Sequence, residues 1–360
     1  MGLPVIDITF KTLAETIVKR SSRGVVAVLL EDSTGTASMK TYKAVSEITA
    51  GDWSAASIKV LQMILESGAS KVLAVRVLID EATPDYGGTL DLISGMDWNW
   101  VCAPGADTAE VTEIANWIAV ARTAGYPYKA VLGGATTPDN MGVVNLVTTG
   151  IKSAYFGESS PAEYTPQQYA PRLAGVLAGI PLNQSVTGYV FDDIVQCDAS
   201  ATPDTDIEAG KFLIVFNGTG YEAARGVTSL VTTSHDRPEQ FQKIKHVEGA
   251  DLMAADLSLL FKAGYKGKKV NSYSNKQALV AEYIAYLGEL VGTVLSPNYE
   301  HTAAVNLNAQ KEYLRSQGVD VDEMDDMQVL KANTHEKVFV LMNVQFIDAM
   351  EDIFISVVLN

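Results

Sequence analysis

Four histidines and two cysteines are the residues of this 360-residue chain best suited to chemistry, and their spacing decides what they can do. His235, His246, His301 and His335 are too scattered to suggest a metal site. Cys102 and Cys197 lie far apart and form no CxxC, which excludes a cysteine-rich zinc site and a disulfide framework. His235-Asp236 has the residue types of two members of a hydrolase triad, but no GxSxG elbow supplies the serine, so a surface-loop histidine is the better reading. GxxxxGK[ST] and HExxH are absent too. Gly218-Thr219-Gly220 follows a strand as a dinucleotide loop would, with Ala223 where the third glycine belongs. The stretch after it, Arg225 to Val231, alternates like a strand instead of opening a helix, so a hairpin turn is expected.

Two charged runs complete the inventory. Asp320, Asp322, Glu323, Asp325 and Asp326 lack the sixth-position glycine and terminal glutamate of a calcium loop, and read as charge at a helix entry. Lys262, Lys266, Lys268 and Lys269, with Lys276, form either a solvated loop or a contact surface for an acidic partner. The residues therefore predict no catalytic group, no cofactor and no metal.

The bulk numbers narrow the class further. Lys and Arg number 27 against 43 Asp and Glu, a net charge of −16, which argues against a protein that binds nucleic acid by neutralising phosphates. With 47% hydrophobic residues the chain can bury a sizeable core. No apolar run approaches the ~20 residues of a membrane span, so no membrane insertion is expected. The N-terminus lacks a basic region followed by an apolar one, and Ile6 stands where a myristoylation motif needs Ser or Thr. Folding in a reducing cytosol is the expectation.

The elements that must position these residues follow an alternating rhythm. Val25 to Leu30 is a short apolar run of the kind covered on both faces in a parallel sheet. Further strands are expected at Lys71 to Leu78, Trp98 to Cys102 and Tyr128 to Leu132. Between them come helices capped at Asp52, near Leu90, and at Asp107 with Glu110; Thr165-Pro166-Gln167-Gln168 starts another. Strands alternating with helices of this length predict an α/β fold with a parallel sheet and crossover helices. A hairpin is expected near 211–231, and then a mostly helical region. Its best helix carries the rows Leu279, Tyr283, Tyr286, Leu290 and Val280, Ile284, Leu287, Val291, with two more helices near Ala309 and Met327. The domains expected are an arm over 1–20, an α/β domain over 21–245, a helical α+β domain over 246–336 and a second arm over 337–360.

Both ends alternate as half-buried strands do. Ile6, Ile8 and Phe10 share one face at the N-terminus. Val340, Met342, Val344 and Phe346 share one at the other end, and Ile353 and Ile355 continue the pattern after an acidic break at Asp348, Glu351 and Asp352. A compact domain does not readily absorb two strands of ~20 residues, so pairing with neighbouring copies by strand addition is expected. Burying six apolar side chains of one arm yields roughly 9–18 kcal/mol. Ordering some fifteen residues costs roughly 15–30 kcal/mol, so one arm alone breaks even or loses. Several arms pairing at once can win.

These residues carry a resemblance. Gly2 to Phe10 leading into Arg20-Ser-Ser-Arg-Gly24 resembles the N-terminal arm of contractile phage tail sheath proteins. Ala224 to Thr233, Gly264 to Lys276, Pro297-Asn-Tyr299, Gln310 to Asp320 and Asn343 to Asp352 resemble further segments of that family, in its short form from prophage tails and phage-tail-like bacteriocins. The resemblance implies a structural subunit with a subtilisin-like α/β domain and no protease activity. It implies six-fold rings of self-associated copies around an inner tail tube, bounded by baseplate and tail terminator proteins. The arms would weave copies together, Lys262, Lys266, Lys268 and Lys269 would face the tube, and contraction would drive the tube through a cell envelope. Localisation in a phage tail or tail-like particle, assembled in the bacterial cytoplasm, follows. A static polymer subunit and an α/β hydrolase are the alternatives.

Overall fold

The run Val25–Leu30 forms strand β1, and all six of its residues are buried in the computed structural model, which describes residues 23–80, 83–155, 161–235 and 237–358. A strand buried on both faces needs helices above and below it, and the chain supplies them in alternation. Next come β2 (Met39–Tyr42), α1 (Ala55–Glu66), β3 (Lys71–Arg76), α2 (Tyr86–Ile93), β4 (Trp100–Cys102) and α3 (Thr108–Thr123). β5 (Lys129–Gly133), β6 (Val143–Leu146), α4 (Pro166–Gly179), the short α5 (Pro203–Glu208) and β7 (Lys211–Phe212) complete the layer. These strands form one seven-stranded sheet in the order β7-β6-β5-β4-β1-β3-β2. Every pairing is parallel except that of β2, which runs antiparallel to β3 at one edge. The chain winds outward from β1 in both directions, the doubly wound arrangement that the alternation predicts.

Local chemistry explains where the helices start. Asp107 and Glu110 form a reciprocal capping box on α3, and Thr165 and Gln168 form another on α4, with Pro166 in the first turn. On α1 the cap is Ser54, whose side chain accepts from the Ser57 N–H, and not the expected Asp52. Asp52 instead pairs with the Lys40 ammonium at 2.6 Å, while Trp53, between Asp52 and Ser54 in sequence, is buried. Helices α1 and α4 pack so closely that side chains are excluded. A Cβ on Gly175 would lie 2.5 Å from the Ile64 carbonyl oxygen, and one on Gly179 2.6 Å from that of Gly68.

By its internal contacts the chain divides into two units. The first comprises the described residues to Ile180 with Gly188–Thr232, and the second Pro181–Thr187 with Thr233 onward. In the first unit the expected hairpin is shorter than the sequence suggests. β8 (Ile214–Phe216) pairs with β9 (Tyr221–Ala223), whereas Lys211 and Phe212 belong to the large sheet.

The second unit is mostly helical, with α6 (Ile244–Gly264), α7 (Tyr273–Leu290), β10 (Thr302–Val305), α8 (Leu307–Ser316), α9 (Asp326–Lys331) and β11 (Val340–Asn343). Along α7 the row Leu279, Tyr283, Tyr286, Leu290 is buried, with Val280 and Leu287 beside it. Ile284 of the second expected row is 45% exposed, so the buried stripe is narrower than two full rows.

Candidate assembly surfaces

In a doubly wound sheet, ligands usually enter at the carboxyl ends of the strands where the winding reverses, here beside β1 and β4. The chain fills that place with its own groups. The Tyr86 hydroxyl donates to Glu31 Oε1 at 2.7 Å. Gln167 donates to the Ala103 carbonyl and accepts from the Gly133 N–H, which ties α4 to β5 and to the loop after β4. Burial pushes the nearby Cys102 thiol pKa up, so it is not a thiolate nucleophile at neutral pH.

The other sequence-level candidates resolve into structure. Asn217 Oδ1 accepts from the Thr219 and Gly220 N–H groups, both at 2.9 Å, which closes the β8–β9 hairpin turn. His235 is exposed, and Asp236 lies outside the described residues. Asp325 caps α9 in a capping box with Gln328, and Asp326 in its first turn pairs with Lys311 at 2.9 Å. No group of three or more His, Cys, Asp or Glu among the described residues could hold a metal ion. Nor is any helix among them long and apolar enough to cross a membrane.

One buried charge cluster was not legible in the sequence. Asp193 accepts from the Tyr169 and Ser153 hydroxyls at 2.7 Å each and from Arg172 Nε at 3.1 Å. Arg172 also donates to Ser67 Oγ at 2.7 Å. Arg172 is 5% exposed and Asp193 8%, and every strong bond stays inside the first unit, so the pair fastens α4 to its neighbours.

The C-terminal segment divides in a way that periodicity alone does not reveal. β11 pairs antiparallel with β10 of the same chain, in the register Thr302↔Asn343, Ala303↔Met342, Ala304↔Leu341 and Val305↔Val340. Val340 and Met342 pack on the cluster containing Leu279, Val280 and Tyr283. Val344 and Phe346 pack on the one containing Leu290, Val294 and Leu295. These four residues are therefore not part of a detached arm, because their apolar face finds a core within its own unit. The chain is then clamped at the first turn of α6. Asp348 lies 2.6 Å from the Lys243 ammonium and 3.2 Å from His246 Nε2, and the Lys245 ammonium donates to the Ile347 carbonyl at 2.6 Å. Burial lowers the His246 pKa, against the opposing pull of Asp348.

Beyond the clamp the Thr187 hydroxyl donates to Glu351 Oε1 at 3.0 Å, while the apolar side chains stay bare. Met350, Ile353, Phe354, Ile355, Val357 and Val358 are 75–103% exposed, and residues 351–358 form no strand or helix of their own. The β10–β11 ladder has only two strands, which leaves open edges among the described residues. Strand addition needs an unpaired sheet edge and a segment with apolar side chains to cover. Ile6, Ile8 and Phe10 of the expected N-terminal arm lie outside the described residues.

The basic run occupies the end of α6 and the loop to α7. Lys262, Lys266, Lys268 and Lys269 are exposed, and Lys268 donates to the Ala263 carbonyl near the helix end. Lys276 does not belong with them. It is 3% exposed, bonded to Gln310 Oε1 and Thr334 Oγ1, and its pKa is lowered by burial.

The chain has clear relatives. It is 33% identical over 370 aligned residues to the tail sheath protein of Clostridium phage phiCD119, covering 99% of both chains. The chain belongs to the phage tail sheath proteins. The family model for the phage tail sheath C-terminal domain matches residues 236–360, close to the span of the second unit. In fold, this sheath protein is similar to the crystal structure of the sheath tail protein from Desulfitobacterium hafniense, with a TM-score of 0.68 at 16% identity, covering 96% of this chain and 100% of that one. It is also similar to the anti-feeding prophage helical sheath in its contracted state, with a TM-score of 0.67 at 13% identity, covering 94% and 93%.

Proposed function

We propose that the subunit polymerises as six-fold rings around an inner tail tube and contracts to drive that tube through a target envelope. The reading rests above all on the bare apolar tail after Asp348, which is costly to leave in water and matches an open ladder edge. The first unit is the subtilisin-like domain of the family, without protease activity, since the chain's own side chains fill the end of its sheet. Copies are joined by the N-terminal arm, with Ile6, Ile8 and Phe10, and by the tail, with Ile353 and Ile355. Val340 and Met342 hold β11 on its own core, so that the edge of the β10–β11 ladder is what receives a neighbour. Lys262, Lys266, Lys268 and Lys269 are the cations offered to partners, the tube among them. Baseplate and terminator proteins bound the polymer, which forms in the bacterial cytoplasm and works as part of a tail or tail-like particle. Contraction is a rigid-body rearrangement of packed copies and needs no nucleotide. Electron micrographs of the native particle test this. Sheaths of two lengths and two diameters are expected; a single length under every trigger would favour a static polymer.

A further inference from the structure

Lys276 is a buried cation whose bonded partners carry no charge. Its ammonium can donate three hydrogen bonds, and two go to neutral oxygens, Gln310 Oε1 at 3.2 Å and Thr334 Oγ1 at 3.1 Å. Both acceptors are committed elsewhere too. Gln310, fully buried, donates to the Val329 and Leu330 carbonyls, and Thr334 donates to the Lys337 carbonyl. Lys276 also sits one turn into α7, near the helix end whose dipole opposes a further positive charge. A charge buried without an opposite one is expensive, so the position calls for an anion.

The side chain lines a cavity of about 590 Å³ between the end of α6 and the start of α7, next to Val338 at the approach to β11. Its apolar wall comes from Phe261, Leu279 and Val338. Three lysines, Lys266, Lys269 and Lys276, face one carboxylate, Glu336, which leaves a surplus of two positive charges with His335 counted as neutral. A single carboxylate would offset only half of that surplus. A phosphate monoester dianion offsets all of it and carries enough acceptor oxygens for three ammonium groups. Inorganic phosphate would leave the apolar wall against water, whereas a cavity of this volume takes a small organic molecule whole.

We propose that the cavity binds a small phosphate monoester, with its phosphoryl group on Lys276, Lys266 and Lys269 and its organic body on Phe261 and Leu279. The site goes beyond the sheath reading and does not depend on polymerisation. Its occupant links the α6–α7 loop to residues 335–338, the stretch that leads into β11, and so stiffens the approach to that strand. Lys262 and Lys268 do not line the cavity and remain among the cations offered to protein partners.

Calorimetric titration of phenyl phosphate into the full-length protein, at low ionic strength and a pH where monoesters are mostly dianions, tests the site. Saturable binding at one site per chain is expected. It should be about tenfold or more tighter than that of inorganic phosphate, which lacks the apolar body. The same margin is expected over phenyl sulfate, which keeps the shape with one charge fewer. Lys266→Glu with Lys269→Glu, both at exposed positions, should weaken phenyl phosphate about tenfold or more while the melting temperature stays close to that of the native protein. Lys276→Met should abolish binding, so that phenyl phosphate raises the melting temperature of the native protein and not of this variant. If Lys276→Met fails to fold, the exposed double variant decides. Absence of saturable binding, equal affinity for inorganic phosphate or phenyl sulfate, or full affinity in the double variant overturns the proposal. None of these measurements involves polymerisation, so their failure leaves the sheath reading standing.

Discussion

Phe346 and Phe354 lie eight residues apart on one C-terminal segment, yet replacing each with alanine should produce opposite defects. Phe346 stacks on the His246 ring at 5.3 Å and packs beside Val294 and Leu295 of its own unit. Removing a half-buried phenylalanine of this kind costs about 3 kcal/mol, the low end for phenylalanine truncation. That lowers the melting temperature of the free subunit by several degrees. Phe354 is 94% exposed, so its removal should leave the free subunit's melting temperature unchanged. On a neighbouring copy the same ring contributes about 1.5–3 kcal/mol per contact. Its loss should raise the critical concentration for assembly by about 10- to 150-fold. Thermal melts of the free subunit, with light scattering across a concentration series, separate the two effects. The reasoning is refuted if Phe354→Ala destabilises the free subunit, or if it assembles at the wild-type concentration.

Two further outcomes follow from buried charges. Asp193→Ala strands the Arg172 guanidinium and removes the acceptor of the Tyr169 and Ser153 hydroxyls, so it should cost about 3–5 kcal/mol in urea unfolding of the first unit. Arg172→Met with Asp193→Leu should recover much of that loss. The fold lowers the His246 pKa, so below about 6.5 the unfolded chain binds that proton more readily than the folded one. The stability linked to neutral His246 is therefore complete above about pH 6.5 and falls as the pH drops toward the lowered folded value. Urea midpoints at pH 7.5 and 5.5 should differ less for His246→Gln than for the native protein.

What the sequence discloses depends on how local the cause is. Capping boxes at Asp107 and Thr165 act within four residues, and both stand where the residue types place them. The run Val25–Leu30 announces a two-faced strand because both faces are covered. The Asp52 cap is misplaced by two residues, since the choice between Asp52 and Ser54 depends on Lys40, which approaches only through β2. The Asp193–Arg172 pair joins residues 21 apart across a bend and leaves no periodic trace. Lys276 is indistinguishable in sequence from the exposed lysines before it; one turn into α7, it points inward instead of to solvent. Period-two alternation correctly marks Val340 to Phe346 as half-buried but carries no information on which molecule provides the cover.

Where the tail is fastened determines what it can do. The grip of Lys243, Lys245 and His246 on Ile347 and Asp348 fastens the segment at one turn of α6, and the Thr187 hydroxyl adds a bond to Glu351. Once that exposed bond opens, the ten residues from 349 to 358 can extend about 33–36 Å. A tether of that reach, rooted in one body and paired in another, lets two bodies change their relative position without breaking the link. Ordering those ten residues costs about 10–20 kcal/mol. Burying the six bare apolar side chains returns about 9–18 kcal/mol, close to balance before any ladder hydrogen bond forms. A near-balanced arm does not drive random association of free copies at −16 net charge. In the proposed assembly it would add to a template that already presents an edge, so growth by ordered addition would follow from the same few residues that make such a link flexible.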